Sequence, residues 1–132
     1  MANLNATLTL TGTAADLGST LSLEVVDALL IASPTVGVSI KTATTGATVI
    51  LPDSNTKRYV YIKHKGLNAA GGSSGSDKLL IESVADGVTD IIMQLEAEEF
   101  AFLPYYANES CKLQVKTTGN TAQFEYAFWT RA

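Results

Sequence analysis

The sequence predicts an all-β fold, a single-domain antiparallel β-sandwich or jelly roll with an extended N-terminal arm. Three observations carry this. Apolar and polar residues alternate at period two in one segment after another, the signature of half-buried strands. Ten glycines and three prolines punctuate those segments at short intervals, and no stretch carries the caps of a helix. The length of 132 residues and 13.9 kDa is that of one domain, which as a compact monomer is expected to expose roughly 6,700 Å². With 46% hydrophobic and 17% charged residues, the composition is also far from that of a disordered chain.

Leu4, Ala6, Leu8 and Leu10 alternate with Asn5, Thr7 and Thr9 and predict a terminal strand, with Thr11 to Gly18 as a connector. Residues 1–18 are therefore read as the arm and 19–132 as the sandwich domain. Leu21, Leu23 and Val25 alternate next and run into Ala28-Leu29-Leu30-Ile31, stopped at Pro34. Leu21, Val25, Ala28 and Leu29 also fit a helical stripe, but the alternation from Thr20 and the missing caps favour strands. Val36, Val38 and Ile40 form a strand before the turn at Thr42 to Gly46, and Val49 to Leu51 form another that Pro52 ends, with Asp53-Ser54-Asn55 as turn. Lys57 to Lys65 is the strongest strand, with Val60 and Ile62 on one side and Tyr59 and Tyr61 on the other. Asn68 to Ser76 reads as a mobile surface loop. Lys78 to Ser83 is a strand, Asp86-Gly87 opens a turn, and Ile91, Met93 and Leu95 alternate after it. The acidic Glu96 to Glu99 leads into Phe100 to Leu103, a short strand cut by Pro104. Cys111 to Lys116 and Thr121 to Thr130 are expected to pair as a hairpin across Thr118-Gly119-Asn120.

Charge and chemistry exclude more than they assign. A formal charge of −4 and a pI near 4.8 disfavour nucleic acid, whose binding is driven by neutralised phosphates. Lys57, Arg58, Lys63 and Lys65, interleaved with Tyr59 and Tyr61, are the one basic run and read as a solvated sheet face. No apolar run reaches membrane-span length, so neither nucleic acid nor membrane is expected as a partner. Cys111 is the single cysteine, which leaves no intrachain disulfide and no cysteine zinc site, and it reads as a small buried thiol. Met1 to Asn5 has no basic and apolar leader, so synthesis in a reducing cytoplasm is expected, and the triplets Asn5-Ala6-Thr7 and Asn108-Glu109-Ser110 carry no glycan there.

His64 is the only histidine and lies at the end of the Val60–Ile62 side without Ser-His-Asp spacing, so a structural role is expected. Glu96, Glu98 and Glu99 read as an acidic turn, and Asp86-Gly87-Val88-Thr89-Asp90 lacks the further ligands of a calcium loop. Gly71 to Gly75 is followed by no Gly-Lys-Ser/Thr and is not a phosphate cradle. No enzyme activity, metal or cofactor is therefore expected. Phe124, Tyr126 and Phe128 share a core side. The partner-binding candidates are Leu4, Leu8 and Leu10 on the arm, Tyr105 and Tyr106 in a loop after Pro104, and Trp129 with Arg131 near the C-terminus. Trp129 fits equally well as a cap on its own sheet edge.

Thr56-Lys57-Arg58-Tyr59-Val60-Tyr61-Ile62-Lys63, the Gly/Ser loop, the strand pair after it, and Leu95-Glu96-Ala97-Glu98-Glu99-Phe100-Ala101-Phe102-Leu103-Pro104 together have a familiar cadence. With the ending, Leu113-Gln114-Val115-Lys116 and Gln123-Phe124-Glu125-Tyr126, the chain from about residue 36 to 130 resembles small virion proteins of tailed bacteriophages. Glu98 stands where that pattern usually has glycine. The resemblance implies a capsid decoration, or cement, protein bound to the major capsid protein on the outside of the shell, or a head-fibre or tail component. It also implies a homo-oligomer, dimer or trimer. Two other readings stay open: a carbohydrate-binding sandwich with Tyr105, Tyr106 and Trp129 as stacking platform, and an enzyme using His64 with an acidic partner.

Overall fold

A computed structural model describes residues 2–13, 21–33, 38–52, 55–107 and 110–132. The connector at Ala14 to Gly18, the stop at Pro34, Val36, the turn at Asp53-Ser54, and Asn108-Glu109 lie outside the described residues. Ten strands follow one another: β1 (Ala2–Gly12), β2 (Leu21–Ser33), β3 (Ser39–Ala43), β4 (Thr48–Leu51), β5 (Thr56–His64), β6 (Leu79–Ala85), β7 (Val88–Leu95), β8 (Phe100–Ala107), β9 (Cys111–Thr117) and β10 (Ala122–Arg131). The protein is an all-β sandwich of two antiparallel sheets. One runs β1-β2-β10-β5-β8 with β3 also on β10, and the other runs β4-β9-β6-β7.

Alternation sets the two layers. Register places Phe124, Tyr126 and Phe128 of β10 beside His64, Ile62 and Val60 of β5, and Val60 and Ile62 beside Leu103 and Ala101 of β8. These residues face Leu51, Leu79, Ile81, Leu95, Leu113 and Val115 from the second sheet, which completes one contiguous core. Among the described residues of β1 and β2 only Ile31 is buried, and it lies outside this cluster.

Several turns follow from local chemistry. Asp86 and Gly87 both have positive φ, 51° and 81°, as a two-residue hairpin loop between β6 and β7 requires. At Glu96–Glu99 the Glu99 carboxylate accepts the Glu96 backbone N–H at 2.8 Å, and Glu98 takes the left-handed conformation.

Three expectations need correction. The segments on either side of Thr118-Gly119-Asn120 do not form a hairpin, because β9 belongs to one sheet and β10 to the other. Asp77 secures this crossing: its carboxylate accepts the Asn120 N–H at 2.9 Å, and it lies so close to Gly119 that any Cβ there would overlap it. Residues 68–76 are a tied loop, organised by Asn68. Its side-chain oxygen accepts the N–H groups of Ala70 and Gly72, each at 3.0 Å, and its amide donates to Ser73 O at 3.1 Å. Pro104 does not cut a strand. It sits inside β8, whose register with β5 runs unbroken from Thr56↔Ala107 to Lys63↔Phe100. β8 is an edge strand, where a missing N–H on the open side costs the ladder nothing.

Candidate functional site

β1 and β2 pair along their whole length, from Ala2↔Ile31 to Gly12↔Leu21, without a bulge. This hairpin joins the sandwich only at its root, through Thr130↔Ser33 and Arg131↔Ile31. Ile31 is its one buried residue among those described. The stripe Leu4, Ala6, Leu8 and Leu10 is therefore half of a two-stranded face. Leu29, Val25 and Leu23 complete it opposite Leu4, Leu8 and Leu10, with Asp27 opposite Ala6. The residue 18 boundary of the expected arm falls in a segment outside the described residues.

Toward the tip, this apolar face is uncovered. Leu8, Leu10, Leu21 and Leu23 are 43–44% exposed and Val25 is 50% exposed. Nearer the root it leans over the outer side of the first sheet and encloses a cleft of about 500 Å³, lined by Ala6, Leu8, Val25 and Leu29 on one wall and Tyr61, Phe100 and Phe102 on the other. The protein exposes 7483 Å², about 800 Å² more than a compact monomer of its mass. A two-stranded extension that covers the sheet only near its root accounts for such an excess.

The outer side of the first sheet continues the apolar surface. Trp129 lies beside Tyr59 in register, and Tyr59 beside Pro104. The rings of Tyr59 and Phe102 stack with centroids 5.9 Å apart and 12° between planes, while the Arg131 guanidinium sits 5.0 Å over Tyr59. Tyr61 donates from its hydroxyl to Glu125 Oε1 at 2.6 Å. Burial, that hydrogen bond and the nearby carboxylate charge push its phenol up to about 12. Lys63 pairs with Glu98 at 3.3 Å, so this member of the basic run is locally neutralised.

The candidates from sequence fall in different places. Leu4 is half-buried and Leu8 and Leu10 are exposed on the hairpin. Trp129 and Arg131 lie on the outer face, both half-buried. Tyr106 is 52% exposed at the β8 edge, and its hydroxyl donates to Asn55 Oδ1. Tyr105 is elsewhere. It lies on the core side of β8, not in a loop, and its hydroxyl bonds Ser83 Oγ at 3.0 Å and Lys112 O at 3.2 Å, tying the sheets together. It therefore shares no platform with Tyr106 or Trp129. Sequence reasoning put Tyr59 on the solvated sheet face but missed Phe100 and Phe102 as surface aromatics. The signal was present in Phe100-Ala101-Phe102, whose alternation puts both rings on one side, but Ala101 and Leu103 are apolar too and leave the core side undecided.

The remaining chemical groups are structural. His64 is fully buried. Its Nδ1 accepts the Gly66 N–H at 2.9 Å, which leaves the proton on Nε2 to donate to Asp77 O at 3.0 Å. Both ring nitrogens are thus occupied in holding the loop. Glu82 is buried on the outer side of the second sheet, accepting from Gln114 Nε2 at 2.8 Å and paired with Lys116. Cys111 is half-buried, not fully enclosed. Among the described residues, no group of three His, Cys, Asp or Glu side chains is placed to hold a metal ion, and no helix is long and apolar enough to cross a membrane.

Fold and surface together define a class: a rigid two-sheet sandwich carrying a β-hairpin with an open apolar face. No family model, curated protein or solved structure matches the chain.

Proposed function

We propose that this protein is a non-catalytic structural component of a tailed-phage virion, a decoration protein that attaches to the outside of the major capsid shell and reinforces it. One observation carries the reading: among its described residues the hairpin buries only Ile31 and adds none to the core cluster, yet it holds a row of leucines in solvent. A contiguous apolar surface of that kind marks a docking site. Repetition over a symmetric shell turns even a modest contact into firm attachment by avidity. The phage-like cadence of residues 36–130 supplies the identity of the shell.

The test is co-sedimentation with empty phage heads stripped of decoration protein. Saturable binding in a fixed ratio to the capsid protein is expected, and Leu8→Asp with Leu23→Asp should abolish it without changing the circular dichroism of the sandwich. Absence of binding, or binding indifferent to the two aspartates, overturns the reading. The Tyr59–Phe102 stack beside Trp129 favours a second reading, a sugar-binding face. Arg131 already occupies one side of Tyr59, and a Trp129 fluorescence titration with oligosaccharides tests whether the remaining surface takes a sugar.

A further inference from the structure

The open edges of the two sheets are not alike. β3 and β4 are five and four residues long. β8 carries Pro104, and β7 carries Asp90 beside the bulge at Ile81/Glu82. Short length, proline, charge and bulges are the devices that keep a sheet edge from recruiting another strand. β1 has none of them. It is eleven residues long, uncharged, free of proline and unbulged. Among the described residues it ends the sheet, with no strand on its far side.

We infer that two copies of this chain pair through β1, antiparallel about a two-fold axis at Thr7. That register alone uses the whole strand, and it is self-complementary. On the apolar face Leu4 of one copy meets Leu10 of the other, and Ala6 meets Leu8. On the polar face Asn3 meets Thr11, Asn5 meets Thr9, and Thr7 meets its own copy on the axis. No like charges oppose each other, because β1 holds no charge. A stranger would need an uncharged strand of equal length, whereas a second copy supplies one at equal concentration. Pairing the edges extends two hairpins into one four-stranded sheet, the strand-addition mode of recognition in its symmetric form.

The inference concerns the same hairpin as the shell-binding reading but is read out without heads, so either can fail alone. Asn5 and Thr9 are exposed on the polar face, opposite Ala28 and Glu24 of β2, so an unchanged circular dichroism spectrum of each variant is the control that the hairpin itself survives the added charge. Asn5→Lys with Thr9→Lys places two like pairs across the axis, and Asn5→Glu with Thr9→Glu does the same with the opposite sign. Light scattering should give twice 13.9 kDa for the wild type and a monomer for each double variant alone. An equal mixture of the two variants should restore a heterodimer. In a Cys111→Ala background, Thr7→Cys should cross-link to itself under mild oxidation and Asn3→Cys should not. A monomeric wild type, an oligomer that survives both charge variants, a mixture that stays monomeric, or equal cross-linking at the two positions would each overturn the inference.

Discussion

Glu98 holds a backbone φ of 69°, a left-handed conformation that costs a residue with a Cβ roughly 1–2 kcal/mol. Its ion pair with Lys63 leaves the Glu98 side chain 68% exposed, and such a pair returns about 0–1 kcal/mol. Backbone relief outweighs the lost pair, so Glu98→Gly should stabilise the protein by about 0.5–1 kcal/mol. A higher urea midpoint at unchanged slope would show it, and a lower midpoint would refute it. Glu82 is the opposite case. Nothing in Ile81-Glu82-Ser83 announces a buried carboxylate, since its partners Gln114 and Lys116 come from a strand some thirty residues later. Burial by itself would raise its pKa; the Lys116 and Gln114 contacts outweigh burial and hold it below the ordinary glutamate value. A folded-state value that is depressed stabilises at pH above the unfolded value, near 4.3, and the stabilisation is lost as pH falls through the folded value. Glu82→Gln should therefore flatten the acid limb of the stability–pH curve, as measured by urea unfolding at a series of pH values. An acid limb identical to that of wild type would show that Glu82 is not its source.

Strands reveal their own faces but not their partners, and that divides what was legible among the elements. Period-two alternation correctly sorts Val60 and Ile62 from Tyr59 and Tyr61, and Phe124 from Glu125, because each sorting depends only on neighbours in the chain. It could not show that Leu4–Leu10 has Leu21–Ile31 as partner, because alternation within a strand carries no pairing information, or that the chain changes sheets at Gly119, because that depends on Asp77, some forty residues away. The Gly/Ser composition of 68–76 suggested mobility; the outcome was decided by the one asparagine whose amide satisfies the loop's own backbone. The hairpin is the element with most consequence. It joins the sandwich through two residue pairs, and of its described residues only Ile31 is buried, outside the core cluster. Deleting residues 1–29 should leave a cooperatively folding sandwich, at a cost of about 1–3 kcal/mol from uncovering the root at Ile31. Loss of the cooperative urea transition in that truncation would show that the hairpin is integral to the core.

At the scale of the whole molecule, the weight of the fold rests at the other end. β10 is the only strand that touches β2, β3 and β5, and it supplies Phe124, the largest of the fully buried side chains. Removing residues 122–132 should abolish folding altogether, seen as lost chemical-shift dispersion and no unfolding transition, in contrast to the tolerated loss of the hairpin. If the shortened chain still unfolded cooperatively, β10 would be one strand among equals. The position of β10 also sets a clock. At about 5–20 residues per second, the ribosome takes roughly 6–25 s to reach it. For all of that time β3 has no strand to pair with, and β5 shows one bare edge. The local hairpins β1–β2 and β6–β7 can form while the chain is still being made, but the first sheet has to wait for nearly the whole sequence. The nascent first sheet thus stays half-built, and closes only when its central strand emerges.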